Sequence, residues 1–311
     1  MYCFGPIPSR RLGRSLGINN IPTKTCTYNC AYCQQGFSTR IQTERQAFYQ
    51  PEAIIAQAQE AVERARSVGE PIDYLSIVPE GEATLDINLG QLIRGLKELG
   101  PPVALICNAS LLWREDVARD VAPVDWLSLK LDTVDEEIWY RLDHPARSLK
   151  LETILSGIVG FAKAFKGELH TETMLVKGIN DNAPAVSAVA TFIDQIQPHT
   201  ACLLCPTRPP ADQNATTPSP EILAHCRQLF LQQFDRVQCY FLDGNTDYAS
   251  TGDPIQDILA IAAVHPMPRE AVLLLLERRG QDIKLLDQLV ATGQLKELIY
   301  QEQRHYLSTS H

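Results

Sequence analysis

The sequence predicts a parallel α/β fold with a small appended unit, and three observations carry that expectation. Helical and strand-like patterns alternate between residues 51 and 240, with turn residues at each junction. Polar, potentially reactive groups recur at the C-terminal ends of the strand-like runs: the cysteines near residue 30, the PEGE stretch, Asn108, Lys130 and Lys177. Beyond residue 254 the grammar changes to short helices and a hairpin. Strands separated by helices of this length argue a parallel sheet, doubly wound or a (β/α) barrel, and in both architectures ligands sit at the C-terminal edge. A chain of 311 residues is long enough for one large core and a small companion.

SLGINNI near residue 18 reads as the opening strand. PEAIIAQAQEAVERARSVG follows as an amphipathic helix with Pro at its start and Gly at its end, then DYLSIVPEGE as a short strand running into a polar loop. The pair repeats as INLGQLIRGLKEL and VALICNAS, REDVARDVA and WLSLKLD, LETILSGIVGFAKAF and LHTETMLVKGIND, PAVSAVATFIDQIQ and ACLLCPTRPP. That makes six strands, with helix EILAHCRQLFLQQF and strand VQCYFLD after them. DGNTDYASTGDP at residues 243–254, rich in Gly, Asp, Ser and Thr, is the expected boundary between units 1–250 and 251–311. IQDILAIAAVH, PREAVLLLLERRG and IKLLDQLVATG then read as three short helices, and LKELIYQ with RHYLS as two strands around a tight turn. That is the pattern of a winged helix-turn-helix.

Apolar residues make up 45% and charged residues 21% of the chain, so it buries a sizeable core and is neither disordered nor fibrous. No apolar run approaches the roughly 18 residues of a membrane helix, and MYCFGPIPSRRLG lacks the apolar core of an export signal; the cytoplasm is the expected compartment. A net charge of −9 argues against a protein that coats nucleic acid non-specifically. The charge is uneven. Residues 1–45 carry +5 (Arg10, Arg11, Arg14, Lys24, Arg40 and Arg45 against Glu44) and the remainder −14, so a basic edge on an acidic body is expected. Nine cysteines without an export signal speak for reduced thiols serving a metal and against a disulfide scaffold.

Residues 26–33 read CTYNCAYC and place Cys26, Cys30 and Cys33 at C-x3-C-x2-C spacing. Thiolates this close on one loop can converge on a single metal centre. A 4Fe–4S cube held by three of them leaves one iron open, and an open position separates a metal site that does chemistry from one that staples a fold. A structural zinc knuckle completed by a distant Cys or His is the competing reading of the spacing. Three features favour the reactive centre: the placement after the first strand, the aromatic Tyr32 just before the third cysteine, and Glu80-Gly81-Glu82 at the end of the next strand.

CTYNCAYC after a first strand and PEGEATLD after the second resemble the radical S-adenosylmethionine (SAM) superfamily. FGPIPSRRLGRSLGINNIPTKTCTYNCAYCQQG resembles its branch related to the tRNA wybutosine-synthesis enzymes, and the similarity spans roughly residues 4–250. The resemblance implies a partial six-stranded (β/α) barrel whose open side admits large substrates, with a 4Fe–4S cluster and SAM as cofactors. In that superfamily SAM chelates the open iron, and one electron from the reduced cluster cleaves it to a 5′-deoxyadenosyl radical while the protein orients SAM and excludes water. Cys26, Cys30 and Cys33 match the cluster ligands, and Tyr32 the aromatic that packs near the adenine. Glu82 matches the acid that binds the SAM ammonium through a charge-assisted hydrogen bond. The family's Gly-Gly-Glu-Pro stands here as Glu80-Gly81-Glu82-Ala83, which keeps Gly81 and the acid. Asn108 fits a ribose or carboxylate contact, and Ser128 and Lys130 face the barrel mouth on the same reading. A surface charge at Glu82 and ordinary strand-end polarity at Asn108, Ser128 and Lys130 are the plain alternatives. The resemblance assigns no residue to the chemistry on the substrate.

Cys202 and Cys205 form a C-x2-C at the end of the sixth strand, and Cys3 lies near the N-terminus. The run of Cys202 with Leu203 and Leu204 favours thiols of a strand core over an auxiliary cluster. The wybutosine enzyme has three extra cysteines upstream of its main motif; this chain has only Cys3 there, which argues against that particular reaction. Residues 255–311 have a net charge of −1, and IKLLDQLVATGQL offers one Lys and one Asp, so sequence-specific DNA binding is not expected. The expected partners are a macromolecular substrate, RNA or protein, and an electron donor such as a ferredoxin or flavodoxin, with no membrane. Two other readings stay open. One is an iron–sulfur sensor or regulator whose winged helix binds DNA or protein, and the other is a radical SAM enzyme acting on a small molecule.

Overall fold

In the computed structural model, which describes residues 2–9, 11–38, 40–69, 71–240, 253–264, 266–278, 280–300 and 303–309, the chain starts with a hairpin that the patterning did not announce. Strand β1 (Cys3–Ser9) pairs antiparallel with β2 (Gly13–Ile18). Gly5, Pro6 and Pro8 disguise β1 in the sequence, and it takes the sheet edge, where proline is tolerated. Two short strands, β3 (Thr25–Cys26) and β4 (Arg40–Ile41), pair in parallel and pinch the base of the cysteine loop.

The expected alternation follows: α1 (Pro51–Ser67), β5 (Tyr74–Ile77), α2 (Leu89–Lys97), β6 (Val103–Cys107), α3 (Glu115–Val121), β7 (Trp126–Lys130), α4 (Glu136–Asp143), α5 (Leu151–Ala164), β8 (Glu168–Met174), α6 (Ala183–Ile196), β9 (Thr200–Leu204), α7 (Pro220–Leu231) and β10 (Val237–Cys239). Helix starts obey local rules: Asp135 caps α4 by accepting from Ile138 N at 2.9 Å, and Asn182 caps α6 by accepting from Ala185 N at 3.1 Å. The strands lie in the order β1-β2-β5-β6-β7-β8-β9-β10, and every pair after the first is parallel. Among the described residues the sheet does not close, since β1 and β10 are its edges. This is a partial (β/α) barrel.

The twofold period of a strand divides its side chains between two environments. Leu75, Ile77, Leu105, Leu127, Leu129 and Leu203 form a core with helical residues such as Ile54, Leu92, Ile93, Ile154 and Ile193. The opposite face is polar: Ser15 and Ser76 hydroxyls meet at 2.5 Å, and Ser128 donates to Glu172 at 2.7 Å. Arg11, in the turn between β1 and β2, pairs with Glu172 of β8 and lies 5.6 Å from the Tyr240 ring, spanning the inside of the curl. The basic edge expected for residues 1–45 is therefore only partly a surface. Arg11 points inward, and the Arg45 side chain is 3% exposed between Asp116 and Asp120. Arg10 lies outside the described residues.

The C-terminal unit contains the expected three helices and hairpin, as α8 (Pro254–Val264), α9 (Arg269–Arg278), α10 (Lys284–Ala291), β12 (Leu295–Tyr300) and β13 (Gln303–Ser308), with a short β11 (Met267–Pro268) added. Its antiparallel sheet has the order β11-β13-β12. Most of the boundary expected at 243–254 lies outside the described residues. The core of this unit (Ile258, Ile261, Met267, Leu276, Leu289 and Tyr306 among others) takes in Ile7 of β1, with Phe4 packed against it. No helix among the described residues is long and apolar enough to cross a membrane.

Candidate metal and cofactor site

Gly81 allows the turn after β5 to close on β3. A Cβ at residue 81 would lie 2.0 Å from Thr25 O, so the turn after β5 can press against the strand carrying Cys26 only through a residue without a side chain. Two backbone bonds seal the approach, Glu82 N to Thr25 O at 3.0 Å and Lys24 N to Glu80 O at 2.7 Å. On its other flank the cysteine loop rests on the end of α4. Asn29 N and Ala31 N donate to Asp143 O and Leu142 O at 2.9 and 2.8 Å, and Ala146 N donates to Thr27 O at 2.9 Å. The sequence reading passed over α4, although Asp135 followed by Glu136 and Glu137 is a legible helix start.

Cys26, Cys30 and Cys33 are free and half-buried. Burial, then the charge of Glu82, pushes the Cys26 thiol up to about 12; burial and Asp143 push Cys30 well up. Burial also raises Cys33, against a backbone hydrogen bond from Gln35 and the pull of Lys130 and Lys24. Free thiols in this pocket are protonated at neutral pH, and a bound metal is what turns them into thiolate ligands. Among the described residues no three His, Cys, Asp or Glu side chains are drawn around one ion-sized point. Three soft donors on one short loop fit an iron–sulfur cube with an open corner.

Glu82 is 1% exposed and is no surface charge. Its Oε1 accepts from Thr84 N at 2.9 Å and Thr84 Oγ1 at 2.5 Å, and its Oε2 from Asn108 N at 2.8 Å. Burial raises its pKa, and these three hydrogen bonds oppose the rise. The Asn108 amide donates to Thr27 Oγ1 at 2.7 Å and approaches Cys26 Sγ at 3.7 Å. Gly81, Glu82 and Asn108 thus come together directly beside Cys26.

Tyr32 and Lys130 belong to a second group. The Lys130 ammonium lies 4.8 Å from the centre of the Tyr32 ring, while the Tyr32 hydroxyl donates to Asp132 and sits 3.3 Å from Asp143 Oδ1. Burial pulls the Lys130 pKa down, but Asp132 and Glu172 outweigh it and hold the ammonium above its ordinary value. Burial and neighbouring Asp132 push the Asp143 carboxyl well up. One phenol proton cannot serve two carboxylates at once, and the Tyr32 hydroxyl lies nearer Asp132 than Asp143. Ser128 lies a layer deeper, fully buried against Glu172, whose pKa is held down by Arg11 and Lys130 in spite of burial. Asp132 had a signal in the sequence, two residues past Lys130 in WLSLKLD. Asp143, Glu172 and Arg11 had none, because only the fold brings them here.

Cys3, Cys202 and Cys205 are buried and free. Burial pushes Cys3 up to about 12 and both Cys202 and Cys205 up to about 11.

The Radical SAM superfamily profile matches residues 20–187. A UPF0026 protein of Methanocaldococcus jannaschii is 38% identical over 307 residues, which are 98% of this chain and 95% of that protein. Among solved structures, TYW1 with a lysine-pyruvate adduct bound superposes with a TM-score of 0.55 at 19% identity, over 70% of this chain and 73% of that one. Streptococcus suis SuiB bound to the precursor peptide SuiA gives a TM-score of 0.53 at 11% identity, over 70% of this chain and 47% of that one. These two superpositions are likenesses of fold. The profile covers more than half of the chain and falls on the cysteine loop, the Glu82 turn and the strands that hold them, and the chain belongs to the Radical SAM superfamily, enzymes that use a 4Fe–4S cluster and SAM.

Proposed function

We propose that Cys26, Cys30 and Cys33 hold the 4Fe–4S cluster, that the protein cleaves SAM reductively there, and that it directs the chemistry onto a macromolecular substrate, RNA or protein. The observation that carries the reading is the meeting of Glu82 and Asn108 at Cys26, with Asn108 bonded to both the carboxylate and the loop. The cluster and SAM, when bound, supply the electron transfer and the 5′-deoxyadenosyl radical.

The work of the chain is to bind and orient. Three of the lone pairs of Glu82 are engaged, and a fourth on Oε2 is left to accept from the SAM ammonium. Tyr32 offers its ring to the adenine, steadied by Asp132 at its hydroxyl and Lys130 over its face. Asn108 completes the wall for ribose or carboxylate. A sensor has no use for a buried carboxylate beside Cys26, which favours the enzyme over a regulatory cluster. The open strand order from β1 to β10 among the described residues supports a large substrate, and the SuiB structure holds its precursor peptide on a related fold. By its element order, the C-terminal unit is read as a winged helix that docks or positions that substrate.

The test is anaerobic reconstitution followed by dithionite. We expect about four irons per chain and release of 5′-deoxyadenosine, both lost in Cys30→Ala. Intact SAM in a fully loaded protein, or one zinc per chain and no iron, overturns the reading.

A further inference from the structure

Between β9 and α7, residues 205–219 form neither helix nor strand, and a connection of that length inside a compact fold usually has work to do. Its base is closed where Thr217 Oγ1 donates to Pro206 O, and Lys177 N ties it to the segment after β8 by donating to Thr216 O at 2.9 Å. Its tip is a compact turn: Asp212 Oδ1 accepts from Asn214 N at 2.9 Å and from Asn214 Nδ2 at 3.0 Å. From that turn Asp212 N donates to Ala31 O of the cysteine loop at 2.9 Å, and Ala215 is buried with Ala31, Leu142 and Val176, with Tyr32 packed against them. Arg208 Nη1 donates to Gln34 Oε1 at 2.8 Å. The segment is thus a strap laid across the cysteine loop. The C-terminal unit holds its base. The Tyr300 hydroxyl of β12 donates at 3.4 Å to Pro206 O, the carbonyl that also takes the Thr217 hydroxyl, and the buried His305 of β13 meets the Tyr300 ring edge-on with ring centres 6.1 Å apart.

We infer that this strap positions Tyr32 and the cysteine loop for SAM, and that Tyr300 sets the strap from the C-terminal unit; the inference rests on the proposed cluster and SAM site. Tyr32 is an aromatic platform carried by a loop, and a loop residue keeps one geometry only when its neighbours fix both its side chain and its backbone. The hydroxyl end is fixed by Asp132, which is itself held by Met174 N at 2.6 Å on Oδ1 and by the Asn180 amide at 2.9 Å on its carbonyl. The backbone end is fixed at Ala31, whose N–H donates to Leu142 O at 2.8 Å and whose carbonyl accepts from the strap. Ala31 and Ala215 bring only methyl groups to this contact, so the strap comes close, and lifting its tip withdraws both the Asp212 donor and the packing beside Tyr32. A macromolecule that shifts the C-terminal hairpin therefore alters SAM affinity through Tyr300, Pro206 and Asp212, and SAM alters the binding of that macromolecule by the same factor.

The test uses the full chain. Tyr300→Phe removes the hydroxyl and keeps the ring, and Asp212→Ala removes the acceptor that shapes the tip. In each, amide hydrogen exchange of peptides covering residues 28–33 and 206–217, measured on metal-free protein, should quicken by about fivefold. SAM binding to the reconstituted protein, followed by equilibrium dialysis, should weaken by about three- to tenfold at unchanged iron content. Asp212→Asn keeps the acceptor, and Ile299→Ser changes a 73% exposed neighbour of Tyr300; both should match wild type. Wild-type exchange in Tyr300→Phe overturns the inference, and so does quicker exchange with unaltered SAM affinity. A loss of SAM binding that only follows a loss of iron makes the strap a structural clasp and overturns it too. Reconstituted wild-type protein that binds no SAM sinks the proposed function, and exchange in the metal-free protein then still judges the link from Tyr300 to the cysteine loop.

Discussion

At the scale of single residues, the site depends on one atom that is missing and one carboxylate that is enclosed. Gly81→Ala places a methyl group 2.0 Å from Thr25 O, a backbone atom of the strand holding Cys26, which cannot swing aside as a flexible side chain would. We expect this variant to retain less than half of its iron after reconstitution, measured against wild type prepared in parallel; full iron content would show that the loop yields. Glu82→Gln keeps the shape and one of the two amide contacts, Thr84 N or Asn108 N, since its NH2 cannot accept from the other, and it removes the charge. Hydrogen bonds to charged groups contribute about 1.5–3 kcal/mol, so SAM affinity should fall about tenfold to a hundredfold. The cluster spectrum should remain unchanged, and equilibrium binding of SAM decides the matter.

At the scale of elements, Arg45 joins the segment after the cysteine loop to the turn after Glu82 and to α3. Its guanidinium donates to Thr84 O at 2.9 Å, Asp86 O at 2.7 Å, Asp116 Oδ2 at 2.9 Å and Asp120 Oδ2 at 2.7 Å. Breaking such a buried network from one side leaves its partners unpaired, and Arg45→Met should cost about 3 kcal/mol in urea unfolding at neutral pH. The sign of the pH dependence follows from Asp116, held well below its ordinary value of 3.8 by Arg114 and then Arg45. Its contribution to stability is complete above that value and is lost as the pH falls below it. The wild-type protein should therefore lose stability more steeply than Arg45→Met on acidification below about pH 4. Parallel acid limbs for the two proteins would remove Arg45 from the network.

At the scale of the whole molecule, the C-terminal unit and the barrel share apolar surface through β1. Ile7 is buried in a core whose other members come mostly from α8, α9 and α10. Removing everything after residue 252 uncovers Ile7 and Phe4 on an edge strand, the kind of surface that associates with other chains. A chain ending there should give less soluble protein, and its melting temperature should fall by several degrees. Ile7→Ser in the full chain should reproduce part of that fall. A soluble truncation with wild-type melting would show that the C-terminal unit acts only on substrate.

The sequence by itself determined the alternation of strands and helices, the three-cysteine loop and the family it resembles, because each is written in short-range pattern or spacing. Strand β1 and helix α4 escaped it for physical reasons. Prolines and Gly5 hide a strand that is admissible only at an edge, and α4 has eight residues whose place is held by the burial of Trp139 and Leu142 rather than by periodicity. Position within the site was likewise decided by the tertiary structure. Glu82 and Cys26 stand 56 residues apart in sequence, and their approach depends on parallel strands whose ends coincide and on the missing side chain of Gly81. The +5 of the first 45 residues looked like a surface until folding drew Arg11 to Glu172 and Arg45 to Asp116 and Asp120, because charge composition records how many cations a segment carries and only packing decides which of them keep water as their partner.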